Sequence, residues 1–294
     1  MKKLLLTGTL LLVTLVIGAQ IKVAPKMKKG DKKTYVAETL ADFGKLQAKT
    51  TIETRFEVED ATADGYIIQS MITDVKVETD TTDMTGRIVA LSSNLTKGMN
   101  TRMLTDKDGK VLKILDFEKT MSQAKNMVDK LVDIIQLPDM ISKDMIKNAA
   151  ISTITEDKIL NGMTLNNSPF ALNGKTIATG TQDETSTKEG IKMKRTFTVN
   201  ADGSIASSSK IDMSISDMAD MIIDMAASVF PDQTEEVKQQ IRDMVKSGVL
   251  KISATDNATY TLGKDGWVET ITTEAFTESM GQKTKVTTKV RQKK

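Results

Sequence analysis

Thr51-Ile52-Glu53-Thr54-Arg55-Phe56-Glu57-Val58-Glu59, the pair Asp64-Gly65, and the run from Tyr66 to Glu78 together decide the fold class. In the first run Ile52, Thr54, Phe56 and Val58 fall on one side, and Glu53, Arg55, Glu57 and Glu59 on the other. Side chains of an extended chain alternate between faces, so this pattern describes an antiparallel strand with one face in a core and one in water. Asp-Gly tolerates the backbone angles of a tight two-residue reversal. Beyond it Ile67, Met71, Val75 and Val77 return at even spacing as a second long strand on one side.

The same punctuation recurs. Asp108-Gly109, Asp202-Gly203 and Asp265-Gly266 each separate two alternating runs, which predicts hairpins over 99–115, 191–212 and 259–276. The chain is already strand-like from Thr34. After Gly281 a last strand sets Thr284, Val286, Thr288 and Val290 against Lys283, Lys285, Lys289 and Arg291.

Between these hairpins the apolar period lengthens to that of a helix. Asp116 is placed to cap a helix carrying Phe117, Met121, Ala124, Val128, Leu131 and Ile135 as a stripe, which Leu137-Pro138 ends. Ile141 and Ile146 flank a Ser142 cap and predict a short second helix. Met218, Met221, Ile222, Met225 and Val229 form another stripe before Pro231. A final helix over 235–247 turns Val237, Ile241, Met244 and Val245 inward and stops at Gly248. Hairpins followed by helices define an α+β fold: a mostly antiparallel, curved sheet with Asp-Gly turns, packed against several amphipathic helices. Hairpin-then-helix occurs over 99–136 and again over 191–230, so the globular unit 34–294 reads as two similar halves, 34–165 and 166–294.

The N-terminus carries a different message. Lys2 and Lys3 precede an apolar run from Leu4 to Ile17, and Gly18-Ala19 precede Gln20. That is the pattern of a secretory signal peptide over 1–19, too short for a membrane span. Residues 20–33, rich in Lys with Pro25 and Gly30, read as a flexible leader. The two signal lysines account for the whole formal net charge of +2, so the mature chain is balanced and no nucleic-acid partner is expected. The expected location is periplasmic or secreted, with no transmembrane anchor.

The chain has no cysteine and no histidine. Disulfides and a lipid-modified cysteine are excluded, and so are Ser-His-Asp and Cys-His catalysis and His-ligated metal sites. With 18 Met and only 4% aromatic residues, the core is expected to be aliphatic and adaptable. No spacing assembles a catalytic constellation, so the expectation is a protein that is not an enzyme, with no catalytic residue, no metal and no cofactor.

Candidate sites read as follows. Asp217, Asp220 and Asp224 share a helix face and are expected to be solvated surface acids rather than calcium ligands. Asp106-Lys107-Asp108-Gly109 begins like a calcium loop but lacks its closing Glu, and a hairpin turn explains it. Met218, Met221 and Met225 are expected to pack rather than bind copper, and as adaptable surface they suit an apolar ligand. The basic face Lys283, Lys285, Lys289 and Arg291, continued by Lys293 and Lys294, reads as protection of an exposed edge strand. The sequons Asn94-Leu95-Thr96 and Asn257-Ala258-Thr259 carry little weight beside a bacterial-type signal. Trp267, the single Trp, opens a returning strand with Ile271 on its face and is expected to anchor that hairpin to the core, its indole N–H needing a partner.

Lys29-Gly30-Asp31 leading into Tyr35, Asp106-Lys107-Asp108-Gly109-Lys110-Val111 before a long helix, Leu137-Pro138, and Gly263-Lys264-Asp265-Gly266-Trp267 together resemble an uncharacterised exported β-rich family of Bacteroidetes-type bacteria. The family has no established activity, so the resemblance implies no site residue. At the level of fold the chain is also similar to curved-sheet lipoprotein carriers of the bacterial envelope. The expected function is that of a non-enzymatic envelope protein holding a lipid or other apolar or amphiphilic ligand between sheet and helices, its contact residues not identifiable from sequence. The alternative is a cell-surface interaction or structural module with an envelope protein partner and no small-molecule pocket.

Overall fold

The computed structural model describes residues 20–42, 44, 46–82, 84–134, 142–152, 154–186, 192–211, 216, 218–220, 222–223, 235–247, 252–279 and 282–294. The proposed signal segment, Leu137-Pro138, Ile135, Ile141, Asp217, Met221, Asp224, Met225, Val229, Pro231 and Gly248 lie outside the described residues.

The strands are β1 (Ile21–Lys22), β2 (Lys32–Asp42), β3 (Gln47–Ala61), β4 (Gly65–Thr79), β5 (Asn100–Asp106), β6 (Val111–Ile114), β7 (Thr176–Ile177), β8 (Gln182–Ser186), β9 (Lys192–Val199), β10 (Ile205–Ile211), β11 (Ile252–Leu262), β12 (Val268–Ser279) and β13 (Gln282–Lys293). The helices described over their length are α1 (Met84–Leu95), α2 (Phe117–Ile134), α3 (Lys143–Ser152), α4 (Glu156–Met163) and α5 (Glu235–Lys246). Eleven strands form one open antiparallel sheet in the order β6-β5-β4-β3-β2-β13-β12-β11-β10-β9-β8, and β1 pairs with β7 separately. The fold is α+β, as the period-two pattern requires. Residues 34–165 and 166–294 each supply one side of this single sheet, and the sides join where β13 pairs with β2, Val290 opposite Ala37.

One face of the sheet is the core. Val199, Ile205, Tyr260, Ile271, Val290, Ala37, Ile52 and Val75 sit in one row across eight strands. On the opposite face Arg291 meets Glu38 at 2.9 Å, Lys293 meets Glu53 at 2.6 Å, and Lys285 pairs with Glu274. The basic strand is thus not an edge. β13 is the sixth of the eleven strands, and Lys285, Arg291 and Lys293 meet carboxylates on β12, β2 and β3 rather than standing guard over an open rim.

Several expectations about local geometry are corrected. The pairing of β3 with β4 shifts between Glu53 and Thr54 and again between Val58 and Asp60. Each inserted residue flips the side-chain parity, so Ile68 is buried on the core side with Val75, whereas Met71 stands opposite Arg55 on the other. Three of the four Asp-Gly reversals are five-residue frames rather than two-residue turns; at Asp64-Gly65, Thr62 N–H donates to Gly65 O and closes a two-residue loop. Asp106 N–H donates to Lys110 O, Asn200 N–H to Ser204 O and Gly263 N–H to Trp267 O, and within each frame the glycine N–H donates back to the first carbonyl. On α2 the buried residues are Thr120, Ala124, Val128 and Val132, so Ala124 and Val128 of the predicted stripe are buried, while Thr120 and Val132 are buried in place of Met121 and Leu131. Asp116 directs its carboxylate to Arg102 at 3.4 Å, which also takes Glu59 at 2.7 Å. In α5, Val245 is buried, but Val237 and Met244 are each 40% exposed, so the four are not all inward.

Residues 20–33 are packed, which corrects the flexible leader. Val23 is 0% exposed, its N–H donates to Lys175 O and its carbonyl accepts from Gly174 N–H. The segment threads between two turns: Lys26 N–H donates to Asp265 O, and a Cβ on Gly109 or Gly266 would lie 2.9 Å from Pro25 Cγ or 2.8 Å from Ala24 O. Both glycines have φ near +80° (79° and 80°), so chain reversal and close approach both demand glycine. Phe170, Ala171 and Leu172 enter the same end, where Tyr35, Phe56, Phe170 and Trp267 follow one another edge-to-face at 5.8, 5.1 and 6.1 Å. Trp267 is buried with Ile271, and its Nε1 has no acceptor among the described residues.

Candidate functional site

Two places concentrate polar chemistry. The first lies beneath the β8–β11 side of the sheet. Register sets Asp183, Arg195, Ser209 and Asp256 in one row across four strands. Arg195 is 1% exposed, yet donates from Nε to Asp183 Oδ1 at 3.0 Å and from Nη1 to Asn166 Oδ1. Tyr260 Oη donates to the same Asn166 oxygen at 3.0 Å, and Asn166 Nδ2 donates to Asp256 Oδ2 at 2.8 Å. Lys175 closes the group on Asp183. Burial pushes the Asp256 carboxyl above the usual aspartate range, with the Asn166 bond and the Arg195 charge pulling the other way. Burial likewise pushes the Tyr260 phenol up. Asn166 comes from the segment after α4, so this cluster fastens that segment to the sheet. It is enclosed and internally bonded, and reads as a clamp.

The second place is a cleft of about 340 Å³ between the end of α1, the loop into β5, and α2. Leu95, Met99 and Met127 supply its apolar lining; Asn94, Gln123, Asn126, Lys97 and Lys130 supply polar groups. Its walls are fixed by hydrogen bonds. Gly98 N–H donates to Ile72 O at 2.9 Å, Ile72 N–H returns to Met99 O at 3.0 Å, and Thr96 Oγ1 donates to Ser93 O at 2.7 Å. Gln123 Oε1 accepts from Asn100 N–H at 3.2 Å and ties α2 to β5. Lys97 Nζ reaches Asp74 at 2.8 Å, and that bond holds the Asp74 carboxyl below the usual range.

Among the described residues, those singled out in the sequence as candidate ligands are not brought together here. Asp220 meets Arg242 at 3.7 Å, and Met218 packs beside Ala219, Ile222 and Val245. Asp106 Oδ1 accepts the N–H groups of Asp108 and Lys110 at 2.9 Å each, which makes that motif a turn. Among the described residues no three His, Cys, Asp or Glu side chains gather as a metal site, and no helix is long and apolar enough to cross a membrane. Asn94 of the first sequon is exposed at the cleft, while Asn257 of the second lies within β11. The cleft escaped sequence reading because α1 was not foreseen. In the segment that closes it, the sequence shows only the sequon Asn94-Leu95-Thr96 and, at Met99, the start of a hairpin.

No family model and no curated protein matches the sequence. Among solved structures the chain is similar to lipovitellin, in a structure concerned with its lipid–protein interactions, with TM-score 0.40 and 9% identity over 91% of this chain. It spans 25% of that chain. A porin-like protein from Bacteroides uniformis aligns with TM-score 0.19 and 11% identity, covering 92% of this chain and 98% of that one. Both likenesses are weak, and what either neighbour binds is a property of that protein.

Proposed function

We propose that the chain is a non-enzymatic, exported envelope protein that holds an apolar or amphiphilic ligand beside its sheet, in the cleft between α1, α2 and the loop into β5. The observation that carries this is the cleft of Leu95, Met99 and Met127, which has a rigid hydrogen-bonded wall and a volume of about 340 Å³, within the size range of small-molecule sites. Met side chains at two of its apolar positions suit ligands of varied shape. The absence of histidine and cysteine from the sequence supports binding over catalysis.

Mass spectrometry of solvent extracts from the natively purified protein tests the reading, alongside titration with a neutral hydrophobic fluorophore. A copurifying amphiphile and saturable dye binding are expected. Repeated absence of both would overturn it and favour a surface module that acts through protein contacts.

A further inference from the structure

We propose that the ligand of the α1–α2 cleft is a single-chain amphiphile with an anionic headgroup, bound at Lys130 with Lys97 beside it; this rests on reading the cleft as a ligand site. On α2, Gln123, Asn126, Met127 and Lys130 follow at the i, i+3, i+4, i+7 spacing that makes one face of a helix, and all four line the cleft. The carboxylates nearest to Lys130 in sequence are engaged elsewhere. Asp129 and Asp133 both bind Lys147 of α3, at 3.1 and 3.5 Å. Over its last turns the helix therefore turns Asp129 and Asp133 toward α3 and Lys130 toward the cleft.

The lining contains two lysines and no acid. Lys97 is already matched by Asp74, whereas Lys130 has no carboxylate partner among the described residues. A ligand that brings a negative charge completes the pair. A neutral ligand leaves the cation without one, and a cationic ligand adds repulsion. Asn94 and Asn126 at the cleft offer amide donors to the same headgroup. The volume of about 340 Å³ is at the low end for ligand sites, which suits one alkyl chain rather than the two of a diacyl lipid. Leu95, Met99 and Met127 are the surface that chain would cover.

Calorimetric titration of the mature chain with four probes of one chain length, each kept below micelle formation, tests this: dodecanoate, dodecyl phosphate, dodecanol and dodecyltrimethylammonium. At least one of the anions should bind several-fold tighter than dodecanol, the size of one solvent-exposed ion pair, and the cation weakest of all. Which anion leads distinguishes a carboxylate from a phosphate headgroup. Lys130→Gln should remove most of that advantage, lowering anion affinity by far more than it alters dodecanol affinity; this side chain is exposed, and circular dichroism verifies the fold. Met127→Trp, which fills the cleft, should weaken all the probes. Equal binding of dodecanol and both anions, or anion binding indifferent to Lys130→Gln, would overturn the headgroup assignment while the ligand site stands. No binding of any probe would overturn the ligand site itself, and the headgroup assignment with it.

Discussion

Replacing Trp267 separates the two things its indole does. The ring is 2% exposed and meets Phe170 edge-to-face at 6.1 Å, at the end of the aromatic series that begins with Tyr35. Trp267→Ala removes the ring and leaves a cavity among Phe170, the 24–27 segment and the 263–267 turn, an effect of about 3–5 kcal/mol. The aromatic contact itself accounts for about 0.5–1.5 kcal/mol of that. The indole Nε1, however, is buried without an acceptor among the described residues, a burden of about 1–3 kcal/mol. Trp267→Phe keeps an aromatic edge toward Phe170 and removes that donor, so volume loss and relief are of similar size. Its expected net cost is below about 1.5 kcal/mol. Urea unfolding followed by far-ultraviolet circular dichroism measures both, since the substitutions delete the only Trp, and the slope m verifies that the denatured state is unchanged. A Phe variant as unstable as the Ala variant would refute the orphan N–H; an Ala variant within about 1 kcal/mol of wild type would refute the anchor.

The buried polar cluster supplies two more tests. Burial raises the Asp256 carboxyl, so the native state keeps this proton to higher pH than the unfolded chain, whose aspartates titrate near about 3.9. Native protein then binds more protons in that window, and the Asp256 contribution to stability falls as pH rises through it. Asp256→Asn should lack this component, and urea midpoints of both proteins from acid to neutral pH read it; parallel curves would refute it. Arg195→Met removes the buried cation from Asp183 and Asn166 and should cost about 3 kcal/mol, the low end for a broken buried pair because Lys175 still faces Asp183 and Tyr260 still donates to Asn166. A loss below about 1 kcal/mol by the same assay would show that the clamp does not hold the segment after α4 to the sheet.

What could be read from sequence divides along the range of the forces involved. Alternation in Thr51 to Glu59 is a local record of a half-buried strand, and Asp-Gly a local record of reversal, so the α+β class and the main hairpins were legible. Parity within β4 was not, because the bulges that put Ile68 inside and Met71 outside arise from pairing with β3. The role of Lys283 to Arg291 was misread for the same reason. A lysine-rich strand looks the same at an edge or at the centre until its partner is known, and β2, whose residues pair with it, is about 250 residues away (Val290 with Ala37).

The 20–33 segment shows this division most sharply. Its Lys, Pro and Gly composition matches a mobile leader, yet Val23 and Met27 are buried, because Gly109 and Gly266 leave no side chain where the segment runs past. Nothing within those fourteen residues encodes that fit; it is encoded in the absence of a Cβ at two turns far along the chain. The cleft follows the same logic. Leu95 and Met99 gain meaning only when Ile72 grips the loop between them and α2 lays Met127 and Lys130 across it. Composition therefore restricts the chemistry to what carboxylates, amides, hydroxyls and lysines can do, while the long-range pairing of the sheet decides which of those groups face one another.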